Sequence, residues 1–166
     1  MAEERIWRGT PSQWKNFGLY LLQALFCAVI ILVFAVLSHN TSSQLRNLSP
    51  SILLILVVPI FIALARYLQT KNKVYELTTE RMKMSEGVFS KVTDTLELYR
   101  VKDLETRQPF LYRVVGIENV RLNTSDASSP SVLLHAIPGA VGLGDKIRNQ
   151  VEIIRQQKGV REIDIE

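Results

Sequence analysis

Apolar residues run almost unbroken over residues 18–37 (GLYLLQALFCAVIILVFAVL) and again over 52–68 (ILLILVVPIFIALARYL), and no comparable block follows. The first run carries no charge, and the second carries none before Arg66. A helix needs about 20 apolar residues, with a range of roughly 17–25, to cross the hydrocarbon core of a bilayer. Both runs are therefore read as membrane spans joined by a loop over 38–51. A core helix of a soluble protein keeps a polar side, whereas the first run offers only Tyr20 and Gln23. A cleaved signal sequence has an apolar stretch of about 7–15 residues and a small-x-small site behind it. The run ending Ala35-Val36-Leu37-Ser38 is longer and has no such site. Pro59 lacks a backbone donor, so a kink in the second span is expected there.

Beyond the second run the hydrophobic period changes to two. In 73–79, Tyr75 and Leu77 alternate with Glu76 and Thr78; Met82 and Met84 alternate with Lys83 and Ser85, and Gly87 ends that segment. A tight hairpin turn links the two. In 95–104, Leu96 and Leu98 are in phase and Val101 is not, which predicts a bulge or bend. Residues 109–115, 117–123 and 131–137 read as further strands, with a polar turn over 124–130. The period then lengthens. Leu143, Ile147, Val151 and Ile154 fall on one helical face, with Lys146, Arg148, Glu152 and Arg155 largely on the other. Asp145 is expected to cap or begin this helix, at about 143–158, and Gly159 to stop it. The expected fold class is a membrane α-helical hairpin plus an α+β soluble domain, a small β-barrel or sandwich closed by a C-terminal helix. Its domains are an N-terminal segment (1–17), the hairpin (18–68) and the soluble domain (69–166).

Charge sets an orientation. Arg5, Arg8 and Lys15 precede the first span, Arg66, Lys71 and Lys73 surround the end of the second, and the loop holds only Arg46. Basic residues near span ends favour the cytoplasmic side. Both termini are thus expected in the cytoplasm and the loop outside. The net charge of +4 is spread along the chain, unlike the concentrated basic stripe of a nucleic-acid binder. The single cysteine, Cys27, lies in the first run, so no disulfide or zinc site can be built within one chain.

Candidate chemistry is sparse. Lys73, Arg81 and Lys83 resemble a headgroup-binding set in spacing. A turn at Thr79-Glu80 would place Lys73 opposite a residue near Glu86, leaving Arg81 about 20 Å away at ~3.3 Å per residue. Gly139-Ala140-Val141-Gly142-Leu143-Gly144 has the wrong glycine order for a dinucleotide turn and reads as a flexible connection. His39 and His135 have no partner in sequence that would make a triad or ligand set. No catalytic, cofactor-binding or metal-binding residue is assigned. Arg66, Lys71 and Lys73 are candidates for contact with anionic lipid, each contributing about 1 kcal/mol. Lys146, Arg148 and Arg155 are candidates for a protein-contact helix face.

The segments Glu4-Arg5-Ile6-Trp7, Pro11-Ser12-Gln13-Trp14, Tyr75-Glu76-Leu77-Thr78 and Glu80-Arg81, with Gly87, occur in an order seen in one group of proteins. Leu96-Glu97-Leu98-Tyr99-Arg100-Val101-Lys102-Asp103 and Tyr112-Arg113-Val114-Val115-Gly116-Ile117 extend the likeness. Through these segments the chain resembles bacterial membrane-associated pleckstrin-homology-like proteins of the YdbS type. The resemblance implies about seven strands in a partly open barrel capped by a helix. It also implies a bacterial inner-membrane setting and no assigned activity. Together these readings point to a non-enzymatic interaction or scaffold domain on the cytoplasmic face of that membrane. The expected partners are the lipid bilayer and a protein partner or a second copy of the chain. Neither a nucleic acid nor a specific small-molecule substrate is expected. The alternative is an accessory subunit of a transport or envelope-assembly complex, acting through its spans.

The orientation is testable with impermeant thiol reagents on intact cells, in a Cys27→Ser background. A cysteine at Asn40 is expected to react and one at Asp126 to stay protected; the opposite pattern would reverse the topology.

Overall fold

The computed structural model describes residues 3–40, 54–127 and 129–159. The chain divides into two units, Asn16–Leu68 and the combination of Met1–Lys15 with Gln69–Glu166.

A 3-10 turn (Gln13–Asn16) leads into α1 (Phe17–Asn40) of the first unit, and α2 (Val57–Lys71) runs out of it. The stretch Gln13–Val36 is long and apolar enough to cross a membrane, and almost none of it is buried. An apolar surface on every side suits lipid, not water. Among the described residues this is the one helix that meets the test. The described α2 has 15 residues. The expected second span begins at residues 52 and 53, which lie outside the described residues, as does most of the expected loop. Pro59, the expected site of a kink, stands in the first turn of α2. Ile55 and Leu56 form a turn ahead of α2, and the Ile55 carbonyl accepts Val58 N–H at 3.3 Å. Pro59, four residues on, has no N–H to give it.

Among its described residues, the second unit holds seven strands in two antiparallel sheets. One sheet has the order β1 (Arg5–Gly9), β2 (Val74–Thr78), β3 (Arg81–Glu86), β4 (Val92–Glu97); the other has β5 (Val101–Arg107), β6 (Ile117–Thr124), β7 (Ser131–Pro138). The turn at Thr79-Glu80 sets the predicted register, with Leu77 opposite Met82 and Val74 opposite Ser85. The slip in phase around Leu98 is a corner. A 3-10 turn at Leu98–Arg100 takes the chain from β4 in one sheet to β5 in the other. Both Leu98 and Val101 can therefore face the core.

Two expectations are corrected. The segment 109–115 is not a strand: Phe110–Val114 forms a short helix, α3. Pro109, at φ −54°, presets its start, and Gly116, at φ 68°, follows its end. The sheets form two separate ladders and no closed barrel. The N-terminal segment also holds a strand not expected from the sequence, since β1 pairs along β2, Gly9 opposite Tyr75 and Trp7 opposite Leu77.

The final helix, α4 (Leu143–Lys158), buries the predicted stripe. Leu143, Ile147, Val151 and Ile154 join a core with Tyr75, Leu77, Met82, Leu98, Val120, Leu122, Leu134 and Ile137. Polar bonds pin it at its flanks. Gln150 Nε2 donates to the Thr79 carbonyl at 2.8 Å, Arg155 Nη2 donates to the Val101 carbonyl at 2.7 Å, and Lys158 Nζ lies 4.5 Å from the Tyr99 ring centre. Asp145 stands in the first turn and does not cap; Gly142 holds the cap position. Gly159 ends the helix as expected, left-handed at φ 63°.

Ile147→Asp would place an unpaired charge in this core, at a cost on the order of 4 kcal/mol, against about 1 kcal/mol for Ile147→Val. Denaturant midpoints of the full chain in detergent, followed through Trp7, which packs against the core, are expected in that order. Equal midpoints would mean that the helix is not packed there.

Candidate functional site

The cations that resembled a headgroup-binding set are each committed to a carboxylate. Lys73 Nζ bonds Glu86 Oε2 at 2.6 Å. At the other end of the same strands, Lys83 and Arg81 reach Glu3 at 3.1 and 3.9 Å, and Glu3 Oε1 accepts the Thr78 hydroxyl at 2.7 Å. The hydrogen bonds from Thr78 and Lys83 hold the Glu3 carboxyl below its ordinary pKa. Antiparallel register separates Lys73 from Arg81, so the three cations do not converge.

Lys73 belongs to the end of the unit from which the chain leaves for the apolar helices. Burial pulls its pKa down, and the bond to Glu86 with the neighbouring charges outweighs that, leaving it raised. Glu86 is held low by the same bond, by the Lys73 charge, and more weakly by Lys15. Lys15 also acts on His135, whose pKa falls through burial first and through Lys15 and Lys73 after. Next to His135 the ladder is irregular. Between the pairs Glu118–Ile137 and Val120–Leu134, β7 has one residue more than β6. Ala136 takes a left-handed φ of 50°, a conformation that costs a residue with a Cβ roughly 1–2 kcal/mol. The bulge is tied on three sides. Ala136 N–H donates to Asn119 Oδ1 at 2.9 Å, the Ala136 carbonyl accepts Ser12 N–H at 2.8 Å, and His135 N–H donates to the buried Tyr75 hydroxyl at 3.3 Å. It thereby joins both sheets to the segment that leads into α1.

The other predicted residues are dispersed. Arg66 and Lys71 are exposed on α2, five residues apart and so on different helix faces. On α4, Arg148 and Arg155 line a groove of about 160 Å³ with Lys102, Asp103 and Glu152. Lys146 is exposed, two residues before Arg148 and so on another face. Arg155 is half-buried and spent on the Val101 carbonyl, so it anchors the helix. Among the described residues no group of three His, Cys, Asp or Glu side chains could hold a metal ion.

A family model described as a bacterial PH domain matches residues 16–151. The chain belongs to the bacterial PH domain family. The match takes in α1, α2 and six of the seven strands, and leaves out β1. Among solved structures, the chain is similar to a DUF1696-family protein with a pleckstrin-homology domain from Shewanella loihica PV-4. That similarity has 14% identity, covers 49% of this chain and 73% of that one, and has a TM-score of 0.41. No curated protein matches the chain. Membership accounts for the two sheets and the closing helix, and gives the domain the character of an interaction module.

This bacterial PH domain carries features that its sequence hid. Glu3 is the first of two adjacent acids just before β1, and nothing local marks it over Glu4 as the partner of Arg81 and Lys83. The bulge at Ala136 had no glycine to announce it. The alternation of Trp7 with its neighbours was the available signal for β1, in a segment of five residues beside a much stronger apolar run.

The Lys73–Glu86 pair gives a pH-dependent prediction. Glu86, with its pKa lowered, contributes stability above the ordinary carboxylate range, and that contribution is lost as pH falls through its folded value. Lys73, raised, loses its share as pH rises through the alkaline lysine range. Glu86 is 55% exposed, so a double-mutant cycle with Lys73→Met and Glu86→Gln is expected to give a coupling below about 1 kcal/mol at neutral pH. The coupling should fade in high salt and be lost as pH falls below the ordinary carboxylate range through the lowered folded value of Glu86. A larger, salt-resistant coupling would refute this account.

Proposed function

We propose that this chain is a non-enzymatic interaction module, tethered by a two-span hairpin and presenting its PH domain at the cytoplasmic face of the inner membrane. One observation carries the reading. β1 precedes the apolar segment, β2 follows it, and the two are hydrogen-bonded neighbours. Paired strands lie on one side of a bilayer. A chain that crosses through α1 therefore has to return before Val74, and the apolar residues 52–68 supply the return. The basic residues Arg5, Arg8 and Lys15 on one flank, with Arg66, Lys71 and Lys73 on the other, favour the cytoplasm for that side.

The sheet edges support the interaction role. β4 is an outer strand, and Val92, Thr93, Asp94 and Thr95 on it are exposed. An open edge offers unpaired backbone donors and acceptors to a strand of a partner. Confinement beneath a membrane raises the effective concentration of such a partner, which suits a weak contact with a membrane protein or with a second copy. The groove beside Arg148 is a further contact surface with both signs of charge.

A second reading, an accessory subunit acting through its spans, is favoured by one feature of the helical unit. Tyr20, Gln23, Cys27, Pro59 and Ala63 line a cavity of about 280 Å³, and Gln23 Oε1 is buried with no hydrogen-bond partner among the described residues. A polar group at such a depth suits a bond from another spanning helix.

Photo-crosslinkers at Asp94 and Arg148, with Asp126 as control, distinguish the readings in native membranes. The module reading expects the same protein adduct, or the same homo-oligomer, from Asp94 or Arg148 in repeated experiments. Adducts found only from a probe at Gln23 would favour the spans, and adducts from none of these sites would defeat the scaffold role.

A further inference from the structure

We infer that two apolar loop tips of the PH domain dip into the lipid interface beside the spans, so that the domain is held against the bilayer and not merely hung from it. The first tip is the β3–β4 connection, residues 87–91, where Phe89 is fully exposed and Val88 and the following Val92 are exposed too. The second is α3, where Phe110 is 79% exposed and Leu111 and Val114 are also open. Residues 110, 111 and 114 fall on one side of a helical turn, so the apolar surface of α3 is continuous. In water, both tips would expose large side chains with nothing to cover them.

Topology brings the tips to one end. Glu86 and Val92, which flank the first tip, lie opposite each other, and Lys73 pairs with Glu86 just before β2 begins. At this end the chain arrives from α2, and Gly9, opposite Tyr75, leaves toward α1. β4 runs away from that end to the corner at Leu98–Arg100, and β5 runs back to Arg107, where α3 emerges. Ser12 binds Ala136 close to the Pro138–Ile117 end of the second sheet, and Lys15 acts on both Glu86 and His135. Both tips thus project from the end where the chain enters and leaves its apolar segment. The first is rigidly shaped. Gly87 has φ +131°, and a Cβ there would lie 1.7 Å from the Ser90 carbonyl oxygen. The second is held at its base by Gln108 Nε2 to the Ile117 carbonyl at 3.1 Å and by Gly139 N–H to the Gly116 carbonyl at 2.8 Å. Lys91 and Arg113, both exposed, flank the tips with the charge that anionic headgroups attract. Phe and Leu side chains bury readily at the headgroup–acyl boundary, and the tether proposed above would bring a bilayer to that end of the domain.

The inference rests on the tether proposed above, and its test separates the two. The full chain, with Cys27→Ser and a nitroxide at Ser90→Cys, Arg113→Cys or Ser125→Cys, is reconstituted in phosphatidylcholine–phosphatidylglycerol vesicles. Collision with oxygen is compared with collision with a water-soluble nickel chelate. Labels at 90 and 113 are expected to favour oxygen several-fold over the label at 125, near the opposite end of the domain. Adding Phe89→Ser to the first and Leu111→Ser to the second should return each label to the aqueous pattern. Aqueous labels at 90 and 113 would overturn the inference, as would protection from both reagents, which would mean a protein lies over the tips. A carbonate wash then separates the failures: retention of a protein with aqueous tips leaves the tether standing, and release removes both.

Discussion

Two open sheets with apolar inner faces have to be shut off from water, and the stripe of α4 does this at the place where the sheets diverge. Each sheet alone is too small to bury both its own face and the corner residues Leu98 and Val101. Ile147 and Leu143 supply the missing wall, and neither is exposed at all. The helix is also the element that touches both sheets through polar bonds, at the Thr79 carbonyl of the first hairpin and the Val101 carbonyl of the second sheet. These groups sit beside turns, where backbone carbonyls would otherwise lack partners. The apolar stripe and the flanking donors thus act on the same surface. Energy comes mainly from the stripe, and the bonds fix the angle at which it lies.

Electrostatics plays a smaller part, distributed at the ends of the strands. The Lys73–Glu86 and Lys83–Glu3 pairs are partly exposed, and such pairs each contribute little. Their effect is to neutralise cations at the two ends of the first hairpin. A PH domain whose basic residues are consumed in this way is ill suited to gripping a single phosphorylated headgroup. On the reading proposed above, its hold on a membrane would come mainly from the anchor and from exposed apolar side chains.

Periodicity made most of the architecture legible. Alternation in β2 and β3, the change of phase near Leu98, the stripe of α4 and the stop at Gly159 all depend on local patterns that survive in three dimensions. Failures occurred where the deciding interaction was remote or the local signal ambiguous. Phe110-Leu111-Tyr112-Arg113-Val114-Val115 has strong strand formers, and only the geometry set by Pro109 and Gly116 turns it into a helical knob. β1 needed a partner far along the chain before its five residues had any reason to be extended. The interaction surfaces were harder still. Lys146, Arg148 and Arg155 share a helix and a charge, yet the backbone carbonyl of Val101 captures one of them, and no sequence spacing reveals that. Arg66, Lys71 and Lys73 are close in number, but the first two fall on different faces of α2 and the third enters an ion pair.

The position of β1 has a consequence for biosynthesis. Its residues leave the ribosome before the apolar segment, and β2 follows only after residue 73, several seconds later at roughly 5–20 residues per second. For that interval β1 is an unpaired strand with no sheet to join. Its docking closes a long loop, the slow kind of contact in folding, and the loop closed is the one that contains the apolar segment. On the two-span reading proposed above, completion of the first sheet would be a readout of correct membrane insertion. A chain inserted with one crossing would leave β1 and β2 on opposite sides of the bilayer and the edge of β2 bare.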